Sequence, residues 1–207
     1  MPSALETTGL DSSAKSWALP VRGSALFYGC PQIIRLSHYF LPRVVADGKR
    51  ALYLDGANQF DPLLFSRMAR ERGRTPSDFN RSIRVARAFT CFQLTELLVR
   101  APKLLKTFPA DVVILTALPE LYFDEDVREA DALASFRKAL GALQFLAGRL
   151  PVAVFSDPSS FSTPRWKFFE RVKACAAQVW KVSGQEDGKL LIADDRAVSR
   201  ALPAARI

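Results

Sequence analysis

Apolar residues along this chain of 207 residues gather in short runs, which are separated by segments where they recur at helical spacing. Short apolar runs are typical of strands buried on both faces of a parallel sheet. Four such runs predict strands at residues 25–28, 51–54, 112–115 and 152–155, and an alternating run predicts another at 82–88. Helical spacing predicts helices at residues 32–46, 62–73, 91–106, 126–148 and 166–175.

Strands that alternate with helices indicate an α/β domain with a mostly parallel central sheet and helices on both of its faces. Two further runs, at residues 177–182 and 189–193, flank a turn at 184–188. They predict an antiparallel hairpin at the carboxyl-terminal edge of the sheet. Pro42 and Pro102 fall inside predicted helices, so we expect each of these helices to be kinked or shortened there.

The two ends of the chain lack the periodicity of the middle. Residues 1–20 are rich in Ser, Thr and Ala, and we interpret them as a mobile amino-terminal arm. Residues 21–200 are long enough for one domain with a sizeable core, and residues 201–207 are interpreted as a tail.

The composition bears on the location of the protein in the cell and on the kind of partner it binds. No apolar run approaches the roughly 20 residues that a membrane-spanning helix needs. The first residues lack the basic start and apolar centre of a signal peptide, so the expected location is the cytoplasm, with no membrane association. The formal net charge of +8 favours an anionic partner, most simply nucleic acid. A generally basic protein without such a partner accounts for the charge equally well.

The three cysteines, Cys30, Cys91 and Cys175, are far apart and odd in number, and His38 is the sole histidine. This pattern disfavours a structural zinc site or a disulfide framework. A cysteine and His38 acting as a nucleophile pair is left open, although such pairs usually come with an orienting third group.

Several short segments, taken in order, resemble the RecA family of recombinases and their paralogues over roughly residues 21–200. The run 25–29 looks like the strand that enters the family's phosphate loop, and Tyr53-Leu54-Asp55 looks like the second strand. Val85-Ala86-Arg87-Ala88-Phe89, followed by Gln93-Leu94, looks like a conserved segment of recombinases, and the strand at 112–115 takes the place of the Walker B strand. The resemblance implies a RecA-like core.

The residues that the family uses on ATP are missing at the matching positions. A phosphate loop, GxxxxGK[ST], needs a lysine and a hydroxyl, but Gly29 is followed by Cys30-Pro31-Gln32-Ile33. Ala57 stands where the resemblance places the water-activating glutamate, and Leu115 or Thr116 where it places the Walker B aspartate. We therefore expect no ATP hydrolysis, no catalytic residue, no cofactor and no metal.

Two basic segments are candidate DNA contacts. The stretch 67–87 is the densest in arginine, and the loop 161–167 mixes aromatic and basic residues where the resemblance implies a loop on single-stranded DNA. A solvated arginine face and a core role for the aromatic residues are the competing interpretations. The candidate contacts are Arg67, Arg70, Arg74, Arg84, Arg87, Phe161, Arg165, Trp166 and Lys167.

An acidic cluster at residues 124–126, with Glu129 and Asp131, follows the strand at 112–115. A carboxylate metal or acid/base site is conceivable for such a cluster. We favour the simpler interpretation that these acids lie in the first turn of the next helix, where the helix dipole stabilises negative charge.

The resemblance and the missing ATP residues together predict a noncatalytic RecA-like accessory protein in DNA repair or recombination. Such a protein binds a partner protein, DNA or both, without hydrolysing ATP, and a recombinase and a repair polymerase are the candidate partners. The alternative is a regulatory module similar to the SulA-type cell-division inhibitors, which bind a protein target and no DNA. Neither interpretation follows from the fold alone.

Overall fold

The computed structural model of the chain describes residues 19–184 and 190–196. The predicted amino-terminal arm, apart from its last two residues, lies outside the described residues. So do most of the predicted hairpin turn at 184–188 and the whole predicted tail.

Among the described residues, seven strands form one sheet in the order β3-β2-β4-β5-β1-β6-β7. Strands β1 to β6 run parallel to one another, and β7 pairs with β6 antiparallel. The α/β architecture with an antiparallel hairpin at one edge is thus confirmed. The strands are β1 Gly23–Tyr28, β2 Ala51–Asp55, β3 Ile83–Arg87, β4 Val112–Thr116, β5 Pro151–Ser156, β6 Gln178–Gly184 and β7 Leu190–Asp194.

Helices connect the strands and cover both faces of the sheet. Those within the described residues are α1 Ile33–Ala46, α2 Pro62–Glu71, α3 Pro76–Ser82, α4 Cys91–Thr107, α5 Glu129–Ala147 and α6 Lys167–Cys175. One apolar core forms between the sheet and α4, α5 and α6, with Leu94, Phe136 and Phe168 among its buried members. A second forms on the opposite face beneath α1, α2 and α3, with Phe65 and Phe79.

Neither helix is shortened or broken at its proline, as the sequence predicted it would be. Helix α1 contains Pro42 and continues to Ala46, and α4 contains Pro102 and continues to Thr107. A proline removes one backbone hydrogen bond but need not end a helix whose flanking residues are held by packing. Pro42 is itself buried, and Ala101 is fully buried beside Pro102.

Helix α3 is absent from the predicted elements because its seven residues carry only one buried apolar side chain, Phe79. Its start is nevertheless visible in the sequence. The Thr75 hydroxyl accepts the Asp78 amide as an N-cap, and Pro76 occupies the first turn.

No helix in the described part of the chain is long and apolar enough to cross a membrane.

Candidate functional site

The carboxyl ends of the parallel strands meet at one edge of the sheet, which is where α/β folds of this kind bind ligands. A crevice of ≈ 710 Å³ opens there, between the segments that follow β1, β2, β4 and β5. Its size falls within the usual range of small-ligand sites. It is therefore the candidate functional site, and we call it the edge crevice.

The turn from β1 to α1 forms one wall of the edge crevice and contains only four residues, 29–32. Gly29 has φ +122°, and a Cβ on it would lie 2.7 Å from the Val182 carbonyl oxygen. Pro31 has no amide hydrogen, and the Ile33 amide already donates to the Cys30 carbonyl at 2.9 Å. The turn offers neither the lysine nor the hydroxyl of a phosphate loop.

Asp55 ends β2 and is completely buried. Its carboxylate accepts the backbone amides of Gln59 at 3.2 Å and Phe60 at 3.0 Å, and the Thr116 hydroxyl at 3.4 Å. The Arg87 Nε lies 3.4 Å from the same carboxylate. Because its oxygens are used in this way, Asp55 anchors the segment that follows β2.

Two backbone positions bring the segments after β2 and β4 close together. A Cβ on Gly56 would lie 2.5 Å from the Thr116 carbonyl oxygen, so only glycine fits there. The Thr116 hydroxyl accepts the Ala57 amide at 3.1 Å, and Ala117 has φ +58°. A non-glycine residue in this left-handed backbone conformation is strained by on the order of 1 kcal/mol, and such strain is common at binding sites.

Glu120 lies in a short 3-10 turn after β4, is buried, and lines the edge crevice. Its Oε1 accepts the Ser156 hydroxyl at 2.6 Å, whereas its Oε2 has no hydrogen-bond partner within the described residues. Burial raises the pKa of the Glu120 carboxyl to about 7, although the Ser156 hydroxyl and nearby backbone amides oppose the shift. A buried carboxyl of this kind in a crevice is a functional-site candidate.

The charge of the edge crevice is negative. Glu120, Asp124 and Asp157 line it, and none of its lining residues in the described part of the chain is a lysine, arginine or histidine. Asp157 accepts the hydroxyls of Ser159 at 2.6 Å and Ser160 at 2.5 Å. The crevice therefore repels anions and attracts cations.

Two of the candidate arginines of the stretch 67–87, Arg84 and Arg87, lie on β3, the edge strand of the sheet. Arg87 donates to the Phe60 carbonyl at 2.7 Å besides pairing with Asp55, and the Arg84 guanidinium lies 5.0 Å from the centre of the Phe108 ring. The remaining three are on or just after α2. Arg67 lies 4.0 Å from Glu71, whereas Arg70 and Arg74 are exposed with no side-chain partner among the described residues.

The candidate residues of the loop 161–167 lie after β5, three strands away from β3, which is about 14 Å at the usual strand spacing. Arg165 donates to the carbonyls of Tyr122, Asp124 and Val127, so its guanidinium is used within the chain. The structure thus keeps the two groups of candidate DNA contacts apart.

The other three loop candidates are exposed. Phe161 is 46% exposed and lies with its ring centre 5.8 Å from that of Phe123. Trp166 is 41% exposed, packs on Phe169 at 5.1 Å and donates to Glu170 at 3.2 Å. Lys167 begins α6 on the surface.

The acidic cluster divides into two parts. Glu129 and Asp131 lie in the first turn of α5, as favoured from the sequence, and Asp131 pairs with Arg128 at 2.7 Å. Asp124 lines the edge crevice instead. Over residues 19–184 and 190–196, no group of three His, Cys, Asp or Glu side chains is arranged to hold a metal ion.

His38 is buried on the α1 face of the sheet. Its ring stacks on Tyr53 with 6.0 Å between centres, and neither ring nitrogen has a hydrogen-bond partner in the described part of the chain. Burial lowers the pKa of His38 below its usual value. Since neither nitrogen is bonded to a cysteine, the geometry does not assemble the nucleophile pair left open from the sequence.

No protein-family model matches the chain, and no curated protein matches it in sequence. The interpretation of the candidate site therefore depends on its geometry alone.

Glu120 and Asp157 are absent from the candidate residues that the sequence predicts. Asp157 follows the predicted strand at 152–155 by two residues, and Glu120 follows the strand at 112–115 across a short turn. Polar residues just after parallel strands are the signal that points to the ligand edge of an α/β sheet.

Proposed function

We propose that this protein is a noncatalytic RecA-like accessory protein of DNA repair or recombination, which binds a partner protein and DNA without hydrolysing ATP. The observation that carries the proposal is the charge of the edge crevice. Three carboxylates line it, and no cation does so among the described residues. These carboxylates would repel a nucleoside triphosphate, and the crevice lacks the lysine with which a phosphate loop binds the phosphates.

The order of the strands supports the RecA-like part of the proposal. Strand β5 lies between β1 and β4. The resemblance assigns β1 to the phosphate loop and β4 to Walker B. Both therefore reach the same crevice, as they would in a RecA-like ATPase, but each ends without the residue needed for ATP.

DNA binding is supported by two exposed arginines on and after α2. Arg70 and Arg74 are exposed on and after α2, and each is free of a side-chain partner within the described residues. Arginines in this state can neutralise phosphates and release counterions, which favours sequence-independent binding.

A second candidate function is a SulA-like regulatory module that binds a protein and no DNA. The observation that favours it is the internal use of two candidate contacts. Arg87 is bonded to Asp55 and Phe60, and Arg165 to three backbone carbonyls. With those guanidinium groups occupied, the surface left for DNA is smaller than the sequence indicates.

Two measurements on the purified protein test the proposal. Calorimetry with ATP and Mg²⁺ is expected to show no binding, and micromolar affinity would refute the absence of a nucleotide site. Fluorescence anisotropy with a labelled single-stranded oligonucleotide at low salt is expected to show binding that weakens steeply as salt is added. No anisotropy change at low salt would favour the SulA-like alternative.

A further inference from the structure

We propose that the edge crevice binds an arginine side chain presented by a partner protein, with its guanidinium held by Glu120 and Asp157. The inference deepens the proposed function, on which it rests for the existence of a protein partner, and it does not require DNA binding. It assigns the crevice a ligand of the opposite charge to a nucleotide.

The hydrogen bonding of Glu120 is incomplete within the described residues. Its side chain is more than nine-tenths buried, and Ser156 satisfies only Oε1. The Oε2 atom has no partner within the described residues. A buried carboxylate oxygen without a donor is costly, and a guest that supplies an N–H removes the cost.

The crevice concentrates negative charge. Burial disfavours the ionisation of Glu120 most, the Asp157 carboxylate disfavours it weakly, and Asp124 adds a third carboxylate on the same crevice. A cation between Glu120 and Asp157 would replace this repulsion with two attractive contacts. Charge-assisted hydrogen bonds of this kind are about twice as strong as neutral ones.

An apolar wall lies beside the carboxylates of the crevice. Ile34, Leu121, Phe123 and Phe161 line the same crevice, and Phe161 is half exposed. The methylene stem of a long basic side chain packs on such a wall while its charged end reaches the acids. A guanidinium also stacks on aromatic rings and binds carboxylates with two parallel hydrogen bonds, which an ammonium group cannot do. These features favour arginine over lysine.

No arginine of the described residues lines the crevice. The guanidinium of Arg165, on the loop after β5, donates to the carbonyls of residues 122, 124 and 127. Arg87 is held by Asp55 and Phe60. A bare metal ion fits poorly, because no set of three ligating side chains is present in this part of the chain.

The test uses NMR titration of the full-length ¹⁵N-labelled protein with three blocked alanine pentapeptides. Their central residues are arginine, lysine and citrulline, the last having the shape of arginine without its charge. We expect saturable shifts of the Gly56, Ala57, Leu121 and Phe161 amides with the arginine peptide, at a Kd of about 1 mM. Lysine is expected to bind more weakly, and citrulline about tenfold more weakly than arginine.

Variants place the interaction at the crevice. Glu120→Gln and Asp157→Asn are each expected to weaken the arginine peptide about tenfold, because each removes one charged contact. Glu129→Gln, which removes an exposed acid outside the crevice, is the matched control and should leave the affinity unchanged. Asp157→Asn is at a partly exposed position and keeps the test valid if Glu120→Gln destabilises the fold.

Three results would overturn the inference: no saturable shift with the arginine peptide, equal binding of the citrulline peptide, or unchanged affinity in the folded crevice variants. The same variants are tested for oligonucleotide binding and for ATP binding. Intact DNA binding with no peptide binding removes the inference and leaves the proposed function. Micromolar ATP binding at the crevice refutes the absence of a nucleotide site as well.

Discussion

The Ser156 hydroxyl donates a hydrogen bond of 2.6 Å to the Glu120 carboxylate, which ties the segment after β4 to the end of β5. Both residues are buried, and they lie 36 positions apart in the sequence. The contact fixes one wall of the edge crevice, and it leaves the second oxygen of Glu120 without a partner in the described part of the chain. The Glu120 side chain is thus fixed in position, but the charge on its second oxygen is not compensated by a hydrogen-bond donor within the described residues.

We expect Glu120 to make the protein less stable as the pH rises through about 7. Its pKa is about 7 in the folded protein against an ordinary 4.5, so the folded state binds the extra proton. The stability gained by that proton is complete below pH 4.5 and lost as the pH rises through the folded pKa. The difference corresponds to about 3 kcal/mol.

Urea unfolding of the wild type and of Glu120→Gln between pH 5 and pH 9 measures this effect. The wild type is expected to lose stability relative to the variant as the pH rises, because the amide that replaces the carboxyl in the variant does not titrate. Parallel stability curves for the two proteins would contradict the expected titration.

Gly29→Ala is expected to destabilise the protein strongly, on the order of 2–4 kcal/mol. The methyl group would meet the Val182 carbonyl oxygen at 2.7 Å, and the φ of +122° is unfavourable for alanine. Gly73→Ala is the control, since Gly73 also has a positive φ, +64°, but open space around it. It should cost about 1 kcal/mol. Similar losses in both variants, measured by urea unfolding, would mean that close packing at Gly29 matters little.

The sheet could be predicted from the sequence because its central strands are continuous apolar runs. Every residue of β2 and β4 is buried, so no exposed position interrupts their patterns. Helix α3 escaped prediction because a seven-residue helix with one buried side chain has no repeat to detect. The continuous helices at Pro42 and Pro102 depend on packing that the local sequence does not contain.

The candidate site could be predicted only in part. The absence of a phosphate-loop motif can be predicted from the sequence, since Gly29 is followed within the turn by neither a lysine nor a residue with a hydroxyl group. The partners of Arg87 and Arg165 are not visible there. Arg87 pairs with a carboxylate 32 positions earlier, and Arg165 donates to carbonyls about 40 positions earlier. Such contacts arise only when the strands are brought side by side.

His38 is expected to make the protein less stable below pH 6.5. Burial among aromatic rings lowers its pKa, so the unfolded chain takes up a proton at a higher pH than the folded one. The stability due to the neutral ring is complete above the unfolded pKa of about 6.5. It is lost as the pH falls from there through the folded pKa.

Because the chain has one histidine, its NMR signal reports this titration directly. We expect the midpoint of the folded protein to fall below 6.5, and His38→Phe to remove the loss of stability on that side of pH 6.5. An ordinary midpoint in the folded protein would exclude the mechanism.

The double variant Arg70→Ala/Arg74→Ala is expected to weaken the binding of single-stranded and duplex DNA alike. Both side chains are exposed and without partners among the described residues, so they can neutralise two phosphates. For single strands, the slope of log K against log salt should then fall by about 1.4. Lys103→Ala/Lys106→Ala, on α4, removes the same charge elsewhere and should leave the slope closer to that of the wild type. Equal effects of the two double variants would indicate a general charge effect without a defined surface.

Trp166→Ala is expected to weaken binding of single-stranded DNA by about 1–3 kcal/mol and to leave duplex binding nearly unchanged. The indole is 41% exposed on the loop after β5, and its packing on Phe169 holds it in a fixed orientation on which an unpaired base can stack. A duplex keeps its bases stacked on one another, so it gains nothing from the indole. Phe145→Ala, which truncates an aromatic residue of similar exposure on α5, is the control. Anisotropy titrations of the two variants with single-stranded and duplex oligonucleotides separate stacking from charge. If Trp166→Ala and Phe145→Ala weaken both kinds of DNA equally, the loop does not stack on bases.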